Sequence, residues 1–193
     1  MGPVTKTIIS AGAGVGLFPV KRFDVLADAV RTKQMGPSEL TNAQKQGTGL
    51  KDEASRLSRS GQYKKAEKLA TTAVSVFEAL AIRQPSPSNI SEHARALEAQ
   101  ARIMAQRANS LKEADRFAIL RTVQAIYGAA GSTYTEAAGL FKKNGEHSKA
   151  RDAFRDASSA FNNQSGTLQS IYLFPQSLAA AAKATDAQEM SRQ

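Results

Sequence analysis

Three glycines at alternate positions, Gly12-Ala13-Gly14-Val15-Gly16, have a spacing that can wrap a phosphate. A phosphate loop of that kind continues into a Lys and a Ser or Thr, and Leu17-Phe18 stand there instead. A dinucleotide-binding turn needs a preceding strand and a βαβ unit, and no strand alternation surrounds the run. The chain has two histidines, His93 and His147, too far apart for the i, i+4 pair that places two imidazoles on one metal. Glu113 with Asp115, and Asp152 with Asp156, offer paired carboxylates. Arg116, Arg151 and Arg155 lie beside them, so surface ion pairing explains them better than general acid and base work. There is no Cys, and no G-x-S-x-G elbow presents a serine. These residues give catalysis no specific support, and the expectation is a non-catalytic protein without cofactor or metal.

What remains chemically distinctive is charge. The formal net charge is +9, which favours acidic protein surfaces, nucleic acid or anionic lipid as partners. Basic residues are dispersed, with pairs such as Lys21-Arg22, Lys64-Lys65 and Lys142-Lys143 as the longest runs. Arg56, Arg59, Lys64, Lys65 and Lys68 form one group, and Lys142, Lys143, Lys149 and Arg151 a second. Stacked helical units would align the two groups into a stripe for an acidic peptide or a phosphate backbone.

The elements that must carry these groups read as helices. Alanine makes up much of the apolar content and aromatics only 6%, which suits close-packed helices rather than a sandwich or barrel. No run approaches the ~18 apolar residues that a membrane span requires. Ile8–Val20 is short and rich in Gly and Ala, a poor secretory leader that keeps secretion open. The expectation is a soluble protein of the cytoplasm or of a large assembly.

Residues 1–22 lack helical periodicity and read as a flexible arm. Residues 23–48 read as two short helices parted at Gly36-Pro37, the second weakened by Gly47 and Gly49. Residues 49–166 show strong helical periodicity, with units at about 50–82, 90–128 and 133–162. Gly61, Arg83–Asn89, Asn109-Ser110, Gly128 with Gly131, and Gly145 are the expected breaks, and Ser91 is a candidate cap. Residues 167–193 read as a capping helix that Pro175 should kink or split. The apolar run Ile171-Tyr172-Leu173-Phe174 there would cover the last unit or dock a second copy.

Two stretches repeat. Glu53–Phe77 and Ala137–Phe161 superpose on Gly61 and Gly145: Leu57 matches Phe141, Ala66 matches Ala150, and Ala70 matches Phe154. Ala73 then matches Ala157, and Phe77 matches Phe161. The pattern resembles the tetratricopeptide repeat. Gly61 and Gly145 stand at its turn glycine, Tyr63 at the aromatic that follows, and Tyr134 at the opening aromatic of the later copy. Ala66 with Ala150 and Ala73 with Ala157 stand at its small positions, and Phe154 at the large apolar one. His147 replaces the turn aromatic in the later copy, and Ala70 is small where the family has a large residue. Two standard units would span about 68 residues, whereas the two glycines lie 84 apart. An irregular middle unit over Ser91–Tyr127, with Asn109 at the turn, would fill the difference.

The resemblance implies an all-α fold of about 7–9 helices, stacked in antiparallel pairs as a short right-handed solenoid. It also implies a protein-binding scaffold or adaptor. Two alternatives stand beside that reading. One is a structural subunit of a virion or ribonucleoprotein, using the arm and the basic surface. The other is a helical nucleic-acid-binding protein.

Overall fold

A computed structural model describes residues 21–32, 35–171 and 174–192. The chain is all-α, with seven helices and no strand among the described residues. They are α1 (Lys21–Thr32), α2 (Pro37–Arg59), α3 (Tyr63–Arg83), α4 (Pro87–Ala108), α5 (Glu113–Lys143), α6 (His147–Ser170) and α7 (Phe174–Arg192). The proposed arm, apart from its last residues, and Tyr172-Leu173 lie outside the described residues.

Local chemistry accounts for the helix ends. Pro37 opens α2 where a missing N–H costs nothing, and Glu39 reaches back to accept a hydrogen bond from the Gly36 N–H at 2.9 Å. Pro87 likewise opens α4, and its cap is Ser86, whose Oγ accepts from the Asn89 N–H at 3.2 Å. Ser91, the cap expected from sequence, is a buried residue inside the helix. The linker is correspondingly shorter than Arg83–Asn89, because Pro, Ser and Asn belong to the first helical turn as readily as to a loop.

Gly61 and Gly145 end their helices in the same way. Both have positive φ, 76° and 75°, which a Cβ disfavours. Gln62 N–H donates to Leu57 C=O and Gly61 N–H to Ser58 C=O; Glu146 and Gly145 repeat these bonds to Phe141 and Lys142. Each turn thus satisfies two carbonyls that the helix end would leave unpaired.

The weak point expected at Gly47 and Gly49 and the break expected at Gly128 with Gly131 are absent. α2 and α5 run straight through them. Two of these glycines are sites of close helix approach. A Cβ on Gly47 would lie 3.1 Å from the Phe77 ring, and one on Gly131 would lie 2.6 Å from Phe161 Cε1. The packing gained there outweighs the weak helix propensity of glycine. The segment expected as one final helix, kinked or split at Pro175, is divided just ahead of that proline. α6 ends at Ser170, α7 starts at Phe174, and Pro175 sits in the first turn of α7.

Successive helices run antiparallel. The α2/α3 hairpin packs Leu57 and Ala54 on Ala66 and Ala70, and Ile103 of α4 completes that cluster. Farther along, Leu40 and Ala43 of α2 meet Val76, Phe77 and Leu80 of α3, with Leu26 and Val30 of α1 and Ala96 of α4. Met104 and Ala101 of α4 lie on Val123 and Tyr127 of α5. The α5/α6 hairpin joins Phe141, Ala138 and Ala137 to Ala150, Ala153 and Phe154. Tyr134 and Ala130 meet Ala157, Ala160 and Phe161, which α7 covers with Ala184 and Ala187.

The order α2-α3-α4 therefore returns as α5-α6-α7. Residues 84 apart occupy equivalent buried sites: Ala54 and Ala138, Leu57 and Phe141, Ala66 and Ala150, Val76 and Ala160, Phe77 and Phe161. The pair Gly47 against Phe77 and Gly131 against Phe161 extends the equivalence beyond the sequence match. An 84-residue spacing is thus the length of a three-helix unit. The units expected at 90–128 and 133–162 share the single helix α5.

Gly131→Ala should destabilise the protein by about 1–3 kcal/mol, because Phe161 must move. Gly139→Ala, with open space around the new methyl, should stabilise it by about 1 kcal/mol. Urea denaturation of the two variants measures both, and like signs would contradict the packing described.

Candidate functional site

An odd number of helices per unit reverses the direction of the second copy. The Gly61 turn lies at one end of the array, beside the end of α4: Arg107 pairs with Glu67, and Ser58 donates to Gln106. The Gly145 turn lies at the other end, where Ile90 and Ala81 pack with Phe141 and Ala150. The two ends are about 30 Å apart, the length of a 20-residue helix.

This separation decides where the basic residues go. Arg56, Arg59, Lys64, Lys65 and Lys68 are exposed around the first turn. Lys142, Lys143, Lys149 and Arg151 are exposed around the second. The structure does not bring the two groups together into a stripe. Arg56 is also occupied, in a fork to Glu53 at 2.6 and 2.7 Å that holds the Glu53 carboxyl below its ordinary range. Lys65 donates to Gln62 Oε1 at 3.1 Å, and its equivalent Lys149 donates to Glu146 Oε2 at 2.6 Å.

The residues singled out for packing are placed consistently with that role. Ala66, Ala73, Ala150 and Ala157 are buried at helix crossings, Phe154 is buried, and Tyr134 is 1% exposed. Tyr63 is half-buried at the start of α3.

A cleft that sequence reasoning did not find lies on the face made by the parallel helices α2, α4 and α6. Its volume is about 310 Å³. Gln44 comes from α2; Ser88, Ser91, Glu92 and Arg95 come from α4; Lys149, Asp152, Ala153 and Asp156 come from α6; and Phe141 of α5 also lines it. Of the nine basic candidates only Lys149 reaches it. Helical phase carried the missing signal: Glu92 with Arg95, and Asp152 with Asp156, each lie three or four residues apart on one face.

The cleft walls are electrostatically linked. Lys51 and Arg95 both hold Glu92, at 3.2 and 2.6 Å. Burial works against the Arg95 charge, but Glu92 outweighs it and keeps the guanidinium pKa above its ordinary value. Behind the wall, Tyr134 Oη donates to Glu98 Oε2 at 3.2 Å, and Glu98 also pairs with Arg102 at 3.1 Å. Burial, with Glu98 and Asp156 nearby, pushes the Tyr134 hydroxyl far up, so it stays a donor. Asp156 has its pKa raised, first by burial and then by Glu98, against the attraction of Arg95. Among the described residues Asp156 has no hydrogen bond or ion pair.

Ser91 and His93 stand two apart on α4 but serve different surroundings. Ser91 lines the cleft, whereas His93 is partly buried near Glu78 of α3 and Glu136 of α5, with its pKa lowered by burial. Among the described residues no three His, Asp or Glu side chains group as a metal would need. Nor is any described helix long and apolar enough to cross a membrane.

Comparison with known proteins gives no match: no family model, no curated protein and no solved structure matches the chain.

Two predictions test this electrostatic reading. An acid whose folded pKa is raised lowers stability as pH climbs through its titration, since the native state then binds the extra proton. Asp156→Asn should therefore melt higher than the parent at pH 7. The gain should shrink as pH falls through the carboxylate range, and a gain independent of pH would refute the assignment. The second concerns α3, whose first turn holds Lys64 and Lys65, has no acidic residue and receives no side-chain cap. The helix dipole disfavours cations there, so Lys64→Glu should raise the melting temperature by about 1–3 °C. A lower melting temperature would mean that Lys64 makes a stabilising contact.

Proposed function

We propose that the chain is a non-catalytic, tetratricopeptide-like scaffold that holds a segment of a partner protein in the cleft across α2, α4 and α6. The observation that carries this reading is that one cleft is lined from three parallel, alternate helices. Helical solenoids recruit their partners in this manner, since alternate helices supply the side chains of a continuous inner face. The turn glycines Gly61 and Gly145 and the alanine crossings support the same family reading.

The lining suits a polypeptide segment. Phe141 and Ala153, both core residues, close the floor of the cleft, while Arg95 and Lys149 can receive a carboxylate. Ser88, Gln44 and Asp152 add exposed hydrogen-bonding groups at the rim. Several polar groups placed on rigid helices favour recognition by shape and charge over chemistry at one atom.

Site-specific photo-crosslinking tests the proposal. A photoreactive residue at Ser88, in the cleft, should capture a discrete protein in a lysate of the source cells. The same probe at exposed Ser159 should not. Arg95→Glu should abolish the capture at Ser88 while the protein stays helical by circular dichroism. Equal labelling at both positions, or capture that survives the charge reversal, would rule the cleft out as the docking site.

A further inference from the structure

We infer that the end of the array around the Gly61 turn is a binding surface for the phosphate backbone of nucleic acid. The surface is distinct from the cleft and does not depend on its role.

Four helix ends meet there. α2 finishes at Arg59, α3 begins at Tyr63, α4 finishes at Ala108 and α5 begins at Glu113. The pairings Arg107–Glu67 and Ser58–Gln106, with Gln100 donating to Thr71 at 2.9 Å, lock the end of α4 against α2 and α3. Lys64 and Lys68 share the helical face of Thr71, which borders α4. The turn 109–112 then leads directly from α4 into α5.

The charge left over at this end is positive. Arg59, Lys64, Lys65, Lys68, Lys112 and Arg116 are exposed and have no carboxylate partner among the described residues. Two local carboxylates are already engaged, Glu53 by Arg56 and Glu67 by Arg107. Asp52, Glu113 and Asp115 remain as counter-charges, fewer than the free cations.

Helix stability does not account for these cations. Lys64 and Lys65 occupy the first turn of α3 and Lys112 the N-cap of α5, sites where an acidic or short polar residue stabilises a helix. Neither N-cap makes a side-chain capping bond. At the start of α3 the positive charge is therefore kept against local stability, as binding residues often are, whereas at α5 Lys112 stands just ahead of Glu113 and Asp115.

The surroundings favour a polyanion over a protein partner. A stable protein interface needs buried apolar anchors at its centre. The exposed large hydrophobics among the described residues are Val25 and Ile82. Ile82 lies in the last turn of α3, at the opposite end, and α1, which carries Val25, packs against that same end. Backbone phosphates need no apolar anchor, because counterion release supplies the binding energy. No aromatic is exposed among the described residues at this end, so unpaired bases find no stacking platform and a duplex backbone suits the surface better than a single strand.

The test is fluorescence anisotropy with a labelled, mixed-sequence DNA duplex of about 20 base pairs and the full chain. With about six phosphate contacts, affinity should fall roughly a thousandfold between 50 and 200 mM salt. The double variant Lys64→Glu, Lys112→Asp should bind at least tenfold more weakly at 50 mM. Its slope of log affinity against log salt should be shallower by about two. Its melting temperature should not fall, which separates lost binding from lost folding. Lys142→Glu with Lys143→Glu, at the other end, should leave binding unchanged. The inference is overturned if the parent does not bind the duplex, or if the first pair binds like the parent. It is equally overturned if the second pair weakens binding as much. Stronger binding to polyglutamate, or to phosphatidylserine-containing vesicles, than to the duplex would replace it with an acidic protein or a membrane surface.

Discussion

Neighbouring helices in this chain meet through alanine and glycine, and the separation that these small residues permit governs everything built on them. Ala66, Ala73, Ala150 and Ala157 lie at crossings with almost no exposure. Phe77 and Phe161 are seated on glycines of the preceding helix. Helices that approach so closely leave little room for long side chains between them. The larger apolar residues are therefore confined to a few sites per hairpin, and polar residues are displaced to the outer faces. The cleft arises where three parallel helices present such outer faces side by side.

The count of helices per unit has as much consequence as their packing. With three antiparallel helices in each repeat, the second copy starts in the opposite direction. Residues equivalent in sequence then come to lie at opposite ends of the molecule. Lys65 and Lys149 make the same contact to the residue three before them, yet one lies at each end of the array. A two-helix repeat would have stacked such residues on one edge. Gly61 and Gly145 keep the two turns alike in conformation, and the odd helix between them separates the turns in space.

Local features of the fold were legible in the sequence, and long-range ones were not. Gly61 and Gly145 were legible because a glycine followed by alanines at helical spacing marks a tight turn between close-packed helices. Gly131 and Gly47 misled for the converse reason. A glycine inside a helix looks like a break until the Phe161 or Phe77 ring that fills its missing side chain is known. Pro87 and Ser86 could be read as a linker or as a helix start, and only the structure distinguishes the two. The basic groups around both turns were visible, but their separation depends on chain direction, which charge spacing does not encode. The cleft was the least legible feature. Its residues come from α2, α4, α5 and α6, and no single window of sequence contains them.

The equivalence of the two units also shows where the chemistry was added. Tyr134 occupies the place that Leu50 holds in the first unit, and both are buried. Asp156 takes the place of Thr72, whose hydroxyl is satisfied within its own helix by the Lys68 carbonyl at 3.0 Å. Asp152 takes the place of exposed Lys68. Leucine and threonine at these sites serve the fold without outside partners. Tyrosine and aspartate require a donor, an acceptor or a counter-charge from α4, which supplies Glu98 and Arg95. Half-burying Asp156 works against its ionisation, and packing gains nothing from it. Because the first unit achieves the same helix geometry with apolar and self-satisfied side chains, the geometry does not require the polar set. What that set provides is a charged wall to the cleft, the feature on which the proposed docking of a partner segment rests.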